Sequence, residues 1–87
     1  MRSEELAWGL SAVEEDCQRA YRWYRLACDD CDHFARLARR AFAYDEVDDA
    51  VEYARQYMRS GAARAQAWDD YRRALSDLHR AVRLMPA

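Results

Sequence analysis

A cluster of residues that could bind a metal ion or carry out redox chemistry lies near the middle of this 87-residue chain. Residues 27–40 read ACDDCDHFARLARR, in which Cys28 and Cys31 are three positions apart and His33 follows closely. Thiolate and imidazole groups are the usual ligands of structural zinc, and a Cys-x-x-Cys pair can also act as a redox centre. The spacing therefore raises two candidate chemistries, metal binding and thiol–disulfide exchange.

Helical geometry favours a packing role for these thiols. At about 100° per residue, Cys28 lies roughly 20° around a helix from Cys17, and Cys31 lies roughly 40° in the other direction. All three thiols therefore share one stripe, while His33 would point away from it. Because free cysteine behaves as a small buried hydrophobe, we predict that these residues belong to a helix interface.

The remaining requirements of a metal or redox site are not met by the sequence. Structural zinc normally takes four ligands from two separated pairs, and the chain has no second pair. Residues three apart on a helix have Cβ atoms about 5–6 Å apart, farther than the ~3.5–4.5 Å of a disulfide. The neighbouring aspartates also disfavour a reactive thiolate. We predict no cofactor, and we keep metal binding through Cys28 and Cys31 as a second alternative function.

No catalytic constellation can be assembled from the other polar residues. The two histidines, His33 and His79, are isolated from any serine or cysteine pattern that would suggest nucleophilic catalysis. Gly9 and Gly61 are the only glycines, so the chain has no glycine-rich phosphate loop. We therefore predict that the protein is not an enzyme.

Composition predicts a single soluble domain covering residues 1–87. Charged residues make up 34% of the chain with a net charge of −2, and all 14 basic residues are arginine. No apolar run approaches the ~18–20 residues of a membrane span, and the N-terminal segment turns acidic without a signal-peptide core. Three cysteines in such a chain indicate a reducing compartment, so we expect a cytoplasmic protein with no membrane association.

Apolar spacing predicts an all-α fold. One series of residues, spaced three and four apart, predicts a long helix over residues 3–43, with Ser3 as N-cap. A second series with the same period follows a break at Asp45, where Asp48 three residues later resembles a capping box. Gly61 suggests a helix stop or a kink, which gives helices over 45–59 and 62–85. The first series is Leu6, Leu10, Val13, Cys17, Ala20, Tyr24, Cys28, Cys31, Ala35, Ala38 and Phe42; the second is Val47, Val51, Ala54, Met58, Gly61, Ala65, Trp68, Tyr71, Leu75, Leu78, Val82 and Met85.

Two architectures fit these helices. The first is a long antiparallel helical hairpin of coiled-coil type whose second arm is kinked near Gly61, and the second is a compact three- or four-helix bundle. A hairpin with 40-residue arms would be about 60 Å long and would leave apolar surface in water. We therefore expect a hairpin to form a homodimer that buries aromatic residues such as Trp23, Phe34 and Tyr57.

A surplus of aromatic residues suggests a partner-binding surface. Tyrosine, tryptophan and arginine are the residue types enriched at interface hot spots. Tyr21, Arg22, Trp23 and Arg25 combine them within five positions, so we predict that they contact a protein partner. The leading hypothesis is a non-enzymatic helical interaction module that occupies a partner's surface, as a small regulator, adaptor or phage-type inhibitor does.

The alternative function is a nucleic-acid-binding regulator that uses arginine-rich helix faces. Arg36, Arg39 and Arg40 are candidate phosphate contacts, and they would form a larger basic face if the second arm aligned its own arginines with them. Net charge and interleaved acids argue against this interpretation, so nucleic acid is not the expected partner.

Overall fold

Two long antiparallel α-helices make up the structure. This computed structural model describes the backbone of residues 3–85 and the side chains of residues 9–85. Helix α1 spans Ser3–Ala43, and α2 spans Val47–Arg83. They pack into a hairpin 65 Å long and 16 by 14 Å across. The predicted all-α helical hairpin is therefore confirmed, whereas the compact bundle is not formed; the predicted roles of Ser3 and Leu6 lie outside the described side chains.

The turn between the helices is fixed by a Schellman motif at the end of α1. The amide of Glu46 donates to the carbonyl of Ala41 at 2.9 Å, and the amide of Asp45 donates to that of Phe42 at 3.1 Å. Asp45 takes the left-handed conformation, with φ at 58°, where this motif usually has glycine. The predicted break is therefore at the right place, but the predicted role of Asp45 is wrong. Glu46 precedes α2 instead, and it makes no side-chain capping bond.

Helix α2 continues through Gly61 without interruption. Residues 47–83 form one α-helix, and no described glycine has a positive φ. The predicted division into helices 45–59 and 62–85 is therefore wrong. A glycine inside a helix costs only about 1 kcal/mol relative to alanine, and the packing of α1 along the whole of α2 offsets that cost.

The seam between the helices repeats every seven residues on both of them. On α1, the described members of the predicted first series are all buried or half-buried except Phe42, which is 74% exposed. Ala27 and Phe34 are also half-buried and Ala41 is buried, although the series did not include them. Alanine, serine and cysteine fill most of the seam, and such small side chains let the helix axes approach closely. Its members, all buried or half-buried except Tyr57, are Leu10, Val13, Cys17, Ala20, Tyr24, Ala27, Cys31, Phe34, Ala38 and Ala41 on α1, and Ala50, Tyr53, Tyr57, Ser60, Arg64, Ala67, Tyr71, Ala74, Leu78 and Ala81 on α2.

The second series predicted from the sequence is displaced from the seam. Helix α2 presents Ala50 to α1, and Ala50 is buried, whereas Val51 is 46% exposed and Met58 is 71% exposed. Val51 and Met58 therefore lie on the flank of the seam. Tyr71, Leu75 and Leu78 are the members of the predicted series that are half-buried against α1.

Little of the apolar surface is covered by this packing. Among residues 9–85, the buried side chains are Cys17, Cys31, Ala41 and Ala50, and thirteen large apolar residues are exposed. Neither helix has, within the described residues, a stretch long and apolar enough to cross a membrane. Residues 9–85 thus have none of the large buried side chains that normally stabilise a domain of this size.

Candidate partner-binding surfaces

A cluster of four aromatic rings joins the two helices at the middle of the hairpin. The Tyr24 ring lies 5.0 Å from that of Trp68 and 6.4 Å from that of Tyr71, measured between centroids. Tyr21 lies 5.4 Å from Tyr71. Aromatic pairs at such separations contribute about 0.5–1.5 kcal/mol beyond their burial. Because Tyr21 and Trp68 remain 45% and 42% exposed, the cluster both fixes the helix register and contributes to one flank of the molecule.

The phenol of Tyr24 is influenced by the thiol of Cys28, one turn later on α1. Its hydrogen bond with Cys28 and its partial burial raise the pKa of Tyr24 above the usual value of 10.0. The charge of Arg64, a half-buried seam residue of α2, acts in the opposite direction. Cys28 is half-buried beside the seam, next to this tyrosine.

The other two cysteines are part of the helix interface. Cys31 is 1% exposed and Cys17 is 7% exposed, and all three cysteines are free thiols. His33 is exposed and packs against the ring of Phe34, with centroids 5.3 Å apart. Within the part of the chain that the structure describes, no three histidine, cysteine or carboxylate side chains are grouped to hold a metal ion.

A groove runs along the opposite side of the seam, beside Trp23. It has a volume of about 540 Å³, and Trp23 and Leu26 form its α1 wall. Ala63 and Ala67 of α2 contribute to its floor, and Asp70 lies at its edge. Trp23 is 63% exposed, so most of its indole surface is accessible to another molecule. We call this feature the Trp23 groove; it is lined by Trp23, Leu26, Ala27, Asp30, Arg59, Ser60, Ala63, Gln66, Ala67 and Asp70.

The predicted partner-binding residues are divided between different faces of α1. Tyr21 and Arg22 line a shallow depression with Cys17 and Tyr71, on the side of the aromatic cluster. Trp23 lies about 200° around the helix from Tyr21 and lines the groove on the other side. Arg25 is exposed and lines neither cavity. The four residues therefore do not form one contact patch.

The groove includes residues that the sequence interpretation did not single out. Leu26 could have been found, because it follows Trp23 by three positions and so lies on the same side of α1. Ala63 and Ala67 carry no such signal, since alanine is common throughout the chain and their position depends on the helix pairing.

The three arginines proposed as nucleic-acid contacts form one group, separate from Arg72 and Arg73 of α2. Arg36, Arg39 and Arg40 are exposed near the turn. Arg72 and Arg73 of α2 lie about 24 Å or more away along the hairpin axis. Arg55 of α2 is closer, but it contacts Glu52 at 3.8 Å. The three arginines near the turn therefore do not combine with Arg72 and Arg73 into one continuous basic face.

Ion pairs contribute little to the hairpin. Arg19 contacts Asp16 at 3.3 Å and Arg55 contacts Glu52 at 3.8 Å, each within one helix and with all four side chains more than half exposed. Exposed pairs of this kind contribute about 0.2–1 kcal/mol. The charged residues are therefore a solvated surface more than a source of stability.

The flank of α2 on the side of the aromatic cluster is free of charge over 22 residues. Seven residues spaced three and four apart form this stripe, which we call the α2 band: Val47, Val51, Ala54, Met58, Gly61, Ala65 and Trp68. In a chain that is 34% charged, seven positions would be expected to include about two charges. Depletion of charge is a property of the central part of protein interfaces.

No family model matches the chain, and no curated protein or solved structure is significantly similar to it.

Proposed function

We propose that the protein is a non-enzymatic helical interaction module, which acts by binding another protein in the Trp23 groove. The observation that carries this proposal is Trp23 itself, an indole 63% exposed at the wall of an apolar groove between two helices. Tryptophan is among the residues most often found at interface hot spots. The protein would be a small regulator, adaptor or inhibitor, and its three free thiols suit a cytoplasmic location.

The shape and lining of the groove suit an apolar segment of a partner helix. Leu26, Ala27 and Ala67 provide an apolar surface, and amphipathic helices commonly insert their apolar face into grooves of this kind. Asp30, Asp70 and Arg59 also line the groove, so the aspartates can pair with basic residues beside the apolar face of the partner, and Arg59 can pair with an acidic one.

Site-specific photo-crosslinking tests the proposal directly. Gln66 lines the groove and is exposed, so a benzophenone amino acid at this position should crosslink the partner in cells of the native host. The same group at Glu15, an exposed residue that lines none of the grooves described above, is the matched control. No adduct at Gln66, or an equal adduct at both positions, would contradict the proposal.

Affinity measurements with the partner so identified test the role of Trp23. We expect Trp23→Ala to weaken binding by at least about 30-fold, because hot-spot truncations cost 2 kcal/mol or more. Tyr44→Ala removes another exposed aromatic, 68% exposed in the turn, and should leave the affinity unchanged. Equal affinities for wild type and Trp23→Ala would refute the proposed site.

Binding to nucleic acid is the alternative function, and it makes a different prediction. It requires Arg36, Arg39 and Arg40 to bind phosphates, so that affinity would fall steeply with salt concentration. The separation of the two arginine groups gives this alternative no support. Salt-dependent duplex binding that is lost on replacing these three arginines by alanine would favour it over the groove proposal.

A further inference from the structure

We propose that the α2 band is the contact surface between two copies of this chain, which pair side by side into a four-helix dimer. This inference does not rest on the proposed function, because it concerns the opposite side of the seam from the Trp23 groove. It also differs from the dimer expected from the sequence, in which Trp23 itself becomes buried.

The α2 band has large apolar side chains that the hairpin leaves uncovered. Met58 is 71% exposed, Val47 59% and Val51 46%, although these residues belong to the most regular apolar series in the second half of the chain. On α1, Tyr21 and Phe42 extend the same flank, and Phe42 is 74% exposed. A helix that faced water on this side would normally present charged residues there.

Small and large residues alternate along the α2 band in a way that suits helix packing. Gly61 and Ala65 leave a depression between Met58 and Trp68, and the space above Gly61 is open, since a Cβ built there meets nothing within 4 Å. Ala54 leaves a second depression between Val51 and Met58. A helix of a second copy can place Met58 into those depressions, as ridges fit into grooves between packed helices.

The exposed area of the chain matches what a dimer would bury. The chain exposes 7163 Å², whereas a compact monomer of 10.3 kDa exposes about 5,400 Å². The excess of roughly 1,800 Å² arises from the elongated shape of the hairpin, and side-by-side pairing along its length is the arrangement that removes it. Stable homodimers commonly bury about 2,000–5,000 Å² in total. Burying most of the excess on each of the two chains would reach that range.

Pairing through the α2 band leaves the Trp23 groove open on each copy. Ala63, at the floor of the groove, lies about 140° around α2 from Met58. The dimer would therefore present two grooves on its outer sides, and it could bind two partner molecules at once.

Sedimentation equilibrium at low micromolar concentration tests the dimer. We expect wild type to have twice the chain mass of 10.3 kDa. Met58→Glu should have the mass of one chain, because it places a charge in the contact. Leu26→Glu is the matched control, since Leu26 is 55% exposed on the groove side, and it should retain the dimer mass.

Photo-crosslinking keeps the test decisive if Met58→Glu loses its helical structure. A benzophenone amino acid at Met58 should give a crosslinked dimer of purified protein, and the same group at Ala63 should not. A wild type with the mass of one chain, or of more than two, would overturn the proposal. The proposal would also be overturned if Leu26→Glu dissociated the dimer and Met58→Glu did not. A dimer that is crosslinked from Ala63 but not from Met58 would overturn it as well. If Trp23→Ala loses partner binding but keeps the mass of the wild type, that result concerns the groove only. The groove proposal and the dimer proposal can therefore be refuted independently.

Discussion

Asp45 is the residue that reverses the chain, and it does so in a conformation that does not suit it. Its φ of 58° places it in the left-handed region, which costs an L-residue other than glycine about 1–2 kcal/mol, less for aspartate and asparagine than for most. The two backbone hydrogen bonds of the Schellman motif, donated by Asp45 and Glu46, hold it there. An aspartate also places a negative charge at the negative end of the α1 dipole.

Replacing this aspartate by glycine should therefore stabilise the hairpin. We expect Asp45→Gly to raise the free energy of unfolding by about 0.5–1 kcal/mol, because glycine adopts positive φ without a steric cost. Asp45→Ala should lower it, because alanine keeps the Cβ and cannot use local side-chain hydrogen bonds. Thermal unfolding followed by circular dichroism measures both changes, and a destabilised Asp45→Gly would show that the aspartate makes a contact that outweighs its strain.

Tyr24 gives the hairpin a sensitivity to alkaline pH. Because the hydrogen bond with Cys28 and partial burial raise its pKa above 10.0, the folded state favours the protonated phenol. The stability that this preference provides is complete below the pKa of the unfolded chain, and it is lost as the pH rises through the folded value. We expect the melting temperature to fall less between neutral pH and about pH 11 in Tyr24→Phe than in wild type.

An exposed tyrosine provides the control for this measurement. Tyr44 is 68% exposed, so Tyr44→Phe should show the same fall in melting temperature as wild type. An unchanged pH dependence in Tyr24→Phe would mean that the link between Tyr24 and Cys28 does not contribute to stability.

At the scale of the helices, the sequence predicted α1 well and α2 only in part. The α1 series has Cys17, Tyr24 and Cys31 in the seam as expected, because one apolar stripe dominates that helix. On α2 two stripes lie side by side, one rich in alanine and one with larger residues such as Met58 and Trp68. Apolar periodicity predicts that the stripe with the larger residues faces α1. Close packing of the helices instead favours the alanine-rich stripe at the seam, and this preference depends on the shape of α1.

The same reasoning explains why the candidate site was predicted only in part. Trp23 was identified by its residue type, which is independent of the fold. Its grouping with Tyr21 was not correct in space, because residues two apart on a helix lie on opposite sides. The floor of the groove, at Ala63 and Ala67, arises only when α2 is placed beside α1.

The register of α2 can be tested with two alanines. Ala50 is buried in the seam, so Ala50→Leu should lower the free energy of unfolding by about 1–3 kcal/mol through overpacking. Ala62 is exposed, and Ala62→Leu should change it by no more than about 0.5 kcal/mol. Urea unfolding measures both. If Ala50→Leu were neutral, the seam would instead follow Val51 and the other residues of the predicted series.

At the scale of the whole molecule, the hairpin separates two apolar surfaces by its seam. The Trp23 groove is lined in part by charged residues, Asp30, Arg59 and Asp70, whereas the α2 band has no charged member between Val47 and Trp68. A charge-free surface suits permanent burial, and a surface bordered by charge suits a partner that must also dissociate. This difference is the physical basis for assigning self-association to one side and partner binding to the other.

Self-association of this kind makes thermal stability depend on protein concentration, because only the folded chains pair. A tenfold increase in concentration adds about 1.4 kcal/mol to the free energy of unfolding of the dimer. Because the unfolding entropy is about 2.1 cal/mol/K per residue, summed over both chains, the melting temperature should rise by about 4 °C. Met58→Glu should remove this dependence and also melt at a lower temperature, since the side chains that the hairpin buries among residues 9–85 are all small. Superimposable melting curves for wild type over a hundredfold dilution, recorded by circular dichroism, would show that the hairpin is stable as a single chain and that the α2 band remains exposed to water.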